Sequence, residues 1–253
     1  PHPRPAAWHA ACSHGRMRPI VAVLFGITAC TSGEPAAPAQ AAPVVVPDPP
    51  PGTTQRMGAH YQDVVQIKDA IIAGDLPGVR APARRLREVP GPVPAAWRPF
   101  VIKEGELATR TLSATNLRTA AKYAAGLADS CGECHEALGG GPRPAAPAAP
   151  PAPIPHQARQ HMLRHQWAAD RMWDALVSRD DDTWLAGADA LTDAPLLKQD
   201  LTADVELPED LLELNTRVHE LGARARATPA WPARSELYGE FLATCAACHQ
   251  GGC

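Results

Sequence analysis

The pattern Cys-x-x-Cys-His occurs twice in this 253-residue chain, in the stretches DSCGECHEAL and TCAACHQGG. The two copies consist of Cys131, Cys134 and His135, and of Cys245, Cys248 and His249. Each copy closes a segment with helical periodicity, and the copies lie 114 positions apart. This recurrence indicates two related halves, each of which brings two thiols and an imidazole to the end of its last helix.

Further residue types recur at an offset of 105 positions, which supports an internal repeat. The matched pairs are Met57 and Met162, His60 and His165, Asp69 and Asp174, and Asp75 and Asp180. The offset grows towards the end of each half, as insertions in loops would produce. We therefore interpret the halves as two modules of one kind.

Two stretches rich in proline and alanine divide the chain, at 31–56 and 139–155. This composition favours extended, semi-rigid segments over packed structure. The expected organisation is a signal region at 1–29, a tether at 30–56, a first half at 57–138, a linker at 139–155 and a second half at 156–253. Each half is long enough to fold on its own.

Each half has the pattern of four helices. In the first helix, apolar residues recur at helical spacing at Val64, Ile67 and Ile71, and Gly74 ends the pattern. The expected start signals of the next three helices are Asp75, Pro99 and Asn116. Strand signals are nearly absent. The sequence therefore predicts an all-α fold of two tandem four-helix-bundle modules joined by the linker.

Three chemistries use a Cys-x-x-Cys pair: dithiol redox exchange, zinc binding and covalent attachment of haem. Only haem attachment requires the next residue to be histidine, because the thiols add to the vinyl groups and the imidazole becomes the proximal iron ligand. On a helix the three side chains share one face and address one porphyrin. We expect two covalent haem c groups. The predicted attachment and proximal residues are Cys131, Cys134 and His135, and Cys245, Cys248 and His249.

Residues 17–30, MRPIVAVLFGITAC, have the pattern of an export signal. One positive charge precedes an apolar run that is too short to span a bilayer. The last four residues resemble the lipobox of bacterial lipoproteins, which implies cleavage before Cys30 and a lipid on its sulfur. We expect Met17 to be the true start and the protein to lie on the periplasmic side of a membrane. Thr31 favours the outer membrane.

The charge balance excludes a nucleic-acid binder. From residue 30 onward the chain has 21 basic and 27 acidic residues, a net charge of −6. The first half has a net charge of +1 and the second half has −7. The acidic second half is therefore a candidate docking surface for a basic redox partner, with a solvated acidic face as the alternative.

A haem motif on the last helix of a four-helix pattern resembles the class II c-type cytochromes, the cytochrome c prime group. The resemblance covers both halves. In six-coordinate members of that family, a methionine on the first helix binds the other face of the iron. The resemblance implies distal ligands at His60 and His165, which stand where the family often has methionine. Met57 and Met162 are the alternative distal ligands.

The second half contains two other histidines that bear on the distal position. His161 lies on the same helix as His165 and is a further candidate. His219 lies on the third helix and has no counterpart in the first half, so a surface or core position is expected for it.

Iron with both axial positions filled has no open site for a substrate, so the resemblance implies an electron carrier with other redox proteins as partners. Histidine in place of methionine favours ferric iron, which predicts low reduction potentials. The alternative is a five-coordinate module that binds nitric oxide or carbon monoxide. No separate acid–base group for a peroxidase is evident, so an enzyme is not expected.

Overall fold

The computed structural model describes residues 51–88, 93–143, 149–154, 157–193, 195–197 and 209–250. Within these ranges the chain forms α-helices and no strands, which confirms the predicted all-α fold. The helices are α1 (Thr53–Ile72), α2 (Arg80–Arg87), α3 (Arg98–Leu112), α4 (Leu117–Leu138), α5 (Ala158–Ser178), α6 (Asp181–Ala190), α7 (Glu209–Arg226) and α8 (Trp231–Gln250). The predicted signal region, the predicted lipidation site Cys30 and most of the predicted tether lie outside the described residues.

Several helix ends lie where the sequence predicts them. The side chain of Asn116 accepts a hydrogen bond from the backbone N–H of Thr119 at 2.8 Å and caps α4. Asp180 caps α6 in the same way through the N–H of Thr183, at 2.7 Å. The segment after α1 passes through left-handed backbone at Gly74, with φ +75°. These signals depend only on neighbouring residues, which explains why they can be recognised in the sequence.

The predicted start of the second helix at Asp75 is wrong by five residues, because α2 begins at Arg80. The carboxylate of Asp75 instead accepts a hydrogen bond from the backbone N–H of Gly78 at 2.9 Å, which closes a turn. Pro77 disfavours helical backbone at the residue before it. A Cβ at Gly78 would lie 2.3 Å from the Asp75 carboxylate, so a larger residue there would displace the side chain that closes the turn.

The described part of the second half packs against the first within one compact unit, Val45–Cys253. The helices α4 and α8, which carry the two Cys-x-x-Cys-His motifs, lie against each other. Helix α4 also contacts α1, α3 and α5, and α8 also contacts α1, α5 and α7. The hydrophobic core is continuous across these helices from both halves.

Small residues permit the close approach of α4 and α8. A Cβ added to Gly239 would lie 3.2 Å from the Cα of Lys122, so the two backbones nearly touch at this point. Ala121 and Ala125 on α4 are fully buried there. Two helices of neighbouring halves thereby pack as closely as helices within one core.

Polar side chains also join the halves at α1 and α5. The ammonium of Lys68, which is 3% exposed, lies 2.6 Å from a carboxylate oxygen of Asp170. The hydroxyl of Tyr61 donates a hydrogen bond to Asp174 at 2.6 Å. Among the described helices, none is long and apolar enough to cross a membrane.

Candidate functional site

A cavity of about 620 Å³ lies beside the second Cys-x-x-Cys-His motif. We call it the α8 cavity. Helix α8 contributes Cys245, Cys248 and His249 to its wall, and α5 contributes Met162 and His165. The remaining lining residues are mostly apolar and come from α1, α5 and α7. They are Ile72, Ala158, Arg159, Leu163, Gln166, Ala169, Leu211, Leu214, Asn215 and Val218. A mostly apolar cavity with a few convergent polar groups is typical of a cofactor site.

His165 is a buried imidazole on the wall of this cavity, and it has an unsatisfied nitrogen. Its Nε2 has no hydrogen-bond partner among the described residues. Burial lowers the pKa of His165 well below its usual value, and His161 and His219 lower that pKa further. The imidazole is therefore neutral at pH 7 and keeps a lone pair. A buried nitrogen without a partner indicates that it binds a group other than the protein's own side chains and backbone.

Three histidines converge behind the α8 cavity. The ligand atoms of His161, His165 and His219 lie within 4.8 Å of one another. The Nδ1–H of His219 donates to the backbone carbonyl of Leu191 at 2.9 Å, and its Nε2 lies 3.1 Å from Nε2 of His161. Burial lowers the pKa of His161 to about 4, so this pair is neutral at pH 7. Of the surface and core positions expected for His219, the structure shows a buried one.

The first motif has a different neighbour, a carboxylate on α3. The Oε1 of Glu104 lies 3.3 Å from Nδ1 of His60, and this interaction raises the pKa of His60. Burial raises the pKa of Cys131 well above its usual value and that of Cys134 to about 11, and Glu104 is the next cause for both. Glu104 therefore links the predicted distal histidine to the predicted attachment cysteines. The sequence did not single out Glu104.

Burial keeps three of the motif thiols in their neutral form. It raises the pKa of Cys245 to about 12, and it raises those of Cys131 and Cys134 as described above. Dithiol redox exchange uses a thiolate of lowered pKa, so these surroundings do not favour it. In the described part of the chain, the ligand atoms of neither motif form a group of three within 4.8 Å.

Both motif histidines are held by the opposite half of the chain. The Nδ1–H of His135 on α4 donates to the backbone carbonyl of Val177 on α5 at 2.8 Å. The Nδ1–H of His249 on α8 donates to the backbone carbonyl of Ile72 on α1. A histidine that binds a metal through Nε2 commonly donates its other N–H to a carbonyl in this way. The sequence contains no signal for these contacts, because the acceptors are backbone atoms.

The two methionines that the sequence offers as alternative ligands differ in position. Met57 is 41% exposed. Met162 lines the α8 cavity together with His165. The four predicted attachment cysteines are all half-buried.

Comparison of the chain with protein-family models, with curated proteins and with solved structures returns no match.

Proposed function

We propose that the protein is a dihaem c-type cytochrome that carries electrons between redox partners in the bacterial cell envelope. The observation that carries this proposal is the α8 cavity. The residues that the sequence names for one haem, Cys245, Cys248, His249 and His165, come from two helices and line this one space. We further propose that each half is a haem module of the class II kind.

The residues around the cavity fit a haem. Two thiols and an imidazole on successive turns of α8 present one face, and the apolar lining suits a porphyrin. The unpartnered Nε2 of the buried His165 supplies a second nitrogen donor on α5. In the first half, Cys131, Cys134 and His135 would hold the other haem, with His60 as its distal ligand.

A haem held by these residues would supply one-electron chemistry between ferric and ferrous iron. The chain contributes by fixing the ligands and the electrostatic field. Donation from Nδ1–H of His135 and His249 to carbonyls selects the imidazole tautomer whose Nε2 carries the lone pair, and it orients that lone pair away from the acceptor. Burial keeps His165 neutral, which ligation requires. Glu104 places a negative charge beside His60, which favours ferric iron in the first half.

The partners and location that the sequence predicts stay part of this proposal. A basic redox protein would dock on the acidic second half, and a lipid on Cys30 would hold the protein at the periplasmic face of a membrane. Steered docking of this kind weakens as salt screens the charges.

A five-coordinate gas-binding site is the second candidate, and one observation favours it in the first half only. Glu104 raises the pKa of His60, and a protonated imidazole has no lone pair for iron. His60 would then leave the iron open to carbon monoxide or nitric oxide. His165 in the second half has its pKa lowered, so the same opening is not expected there.

The test is a redox titration of the full-length protein combined with carbon monoxide binding to its reduced form. Electron transfer through two bis-histidine haems predicts low potentials and no carbon monoxide binding at neutral pH. Binding of one equivalent that increases as the pH falls would support a gas site in the first half. Two equivalents bound at every pH would contradict distal ligation by His60 and His165.

A further inference from the structure

The contacts of the two motif histidines are related by the internal repeat. His135 and His249 correspond to each other at an offset of 114, and their acceptors Ile72 and Val177 correspond at an offset of 105. The histidine of each half donates to the first helix of the other half. The two halves therefore hydrogen-bond each other's motif histidine, and neither histidine donates to a carbonyl of its own half.

The ends of α1 and α5 are suited to accept these hydrogen bonds. Ile72 and Val177 lie in the last turns of α1 and α5, where backbone carbonyls have no intrahelical donor. The helix dipole places partial negative charge at this end. Left-handed residues follow both helices at matched positions, Gly74 with φ +75° and Arg179 with φ 56°. Each imidazole N–H thus satisfies an acceptor that the helix leaves open.

Other contacts at both sites cross between the halves. Ile72 of α1 lines the α8 cavity. Burial raises the pKa of Cys245, and the positive charge of Lys68 on α1 offsets part of that increase. At the other site, the guanidinium of Arg179 donates to the carboxylate of Asp129 at 2.7 Å and to its backbone carbonyl at 2.9 Å. The end of α5 is therefore fastened to α4 close to the first motif.

We infer that each half completes the haem site of the other, so that the carbonyls of Val177 and Ile72 position His135 and His249 and set the potentials of the two haems. This inference rests on the proposed dihaem function. A hydrogen bond from Nδ1–H to a helix-terminal carbonyl makes the imidazole a stronger donor to iron and stabilises the ferric state. Loosening one contact therefore raises the potential of one haem and leaves the other unchanged.

Gly132 provides a perturbation that adds no charge. It lies between Cys131 and Cys134, and a Cβ there would lie 2.1 Å from the backbone carbonyl of Leu176. The substitution Gly132→Ala therefore forces the end of α5 away from α4 and lengthens the contact between His135 and Val177. Alanine already occupies the matching position in the second motif, at Ala246, so the residue type is compatible with this motif.

The control is Gly126→Ala, the same substitution on the same helix. A Cβ there meets only the side chain of Leu107, at 3.2 Å, within the first half. We expect Gly132→Ala to raise the potential of one of the two titrating haems, while Gly126→Ala shifts neither. Haem content is measured on every variant. Unchanged potentials in Gly132→Ala with both haems bound would overturn the inference and leave the proposed function intact.

A measurement on the unmodified protein keeps the inference testable if Gly132→Ala fails to fold. In the reduced protein, proton magnetic resonance is recorded after transfer to heavy water. We expect the Nδ1 protons of His135 and His249 to stay visible and to show proximity to protons of Val177 and Ile72. Rapid loss of both signals from a protein that contains two haems would overturn the inference. A protein without haem would instead refute the proposed function itself.

Discussion

The ion pair between Arg179 and Asp129 gives the sharpest prediction about how the halves are held together. The two side chains are 7% and 11% exposed, and their closest atoms lie 2.7 Å apart. Removing one member of a buried pair leaves an uncompensated charge and costs about 3–5 kcal/mol. Glu136 lies 3.7 Å from Nε of Arg179 and compensates part of that charge. We therefore expect Asp129→Ala to lower the free energy of unfolding by about 3 kcal/mol, the lower end of that range.

At the other partner, Arg179, the backbone adds a separate effect, because this residue has left-handed backbone at φ 56°. A non-glycine residue in this region costs roughly 1–2 kcal/mol, and glycine removes that cost. Arg179→Gly, which installs the residue type found at Gly74 in the first half, should therefore destabilise the protein by about 1 kcal/mol less than Arg179→Ala, since both variants lose the same side-chain contacts.

Urea unfolding of the full-length protein measures both effects, with the exposed pair Arg224 and Glu240 as the control. Arg224 is 48% exposed, so Arg224→Ala should change the free energy of unfolding by less than about 1 kcal/mol. Destabilisation by Asp129→Ala that does not exceed that by Arg224→Ala would contradict a stabilising buried pair. Destabilisation by Arg179→Gly that matches or exceeds that by Arg179→Ala would contradict the cost of left-handed backbone at this position.

Three further predictions concern the two sites and the contact between α4 and α8. Glu104→Gln removes a charge beside His60 and should raise the potential of one haem by on the order of 40 mV, which corresponds to about 1 kcal/mol for one electron. The control Glu106→Gln, at an exposed position of the same helix, should not shift it. Equal shifts would contradict the role of Glu104. His165→Ala should allow one equivalent of carbon monoxide to bind the reduced protein, and His219→Ala should allow none; a reversed result would assign the distal position differently. Gly239→Val should destabilise the protein by about 1–3 kcal/mol through overpacking, as urea unfolding reports, and an unchanged midpoint would contradict the close contact of α4 with α8.

The sequence predicts features that depend on near neighbours along the chain. Asn116 is a predicted helix start signal and caps α4, because a capping side chain needs only the backbone of the next residues. Asp180, the repeat match of Asp75, caps α6 for the same reason. Asp75 was expected to open a helix, and Pro77 overrides it by favouring a turn. The all-α fold follows from periodicity for the same local reason.

The features that the sequence does not predict depend on residues far apart in the chain. No pattern indicates that the carbonyls of Val177 and Ile72 accept from His135 and His249, since any residue type supplies a carbonyl. Glu104 lies beside His60 only because α3 packs near α1. Whether a single polar residue such as His219 is buried likewise depends on how the helices pack, which the sequence pattern does not specify.

We propose above all that the cysteines of both motifs are joined by thioether bonds to the vinyl groups of two haems. The most direct test is the intact mass of the protein after maturation in a host that exports and attaches haem c. The account predicts the polypeptide mass plus two haems, retained under denaturing conditions. A polypeptide of unmodified mass, with neither pair of cysteines linked to haem, would contradict it.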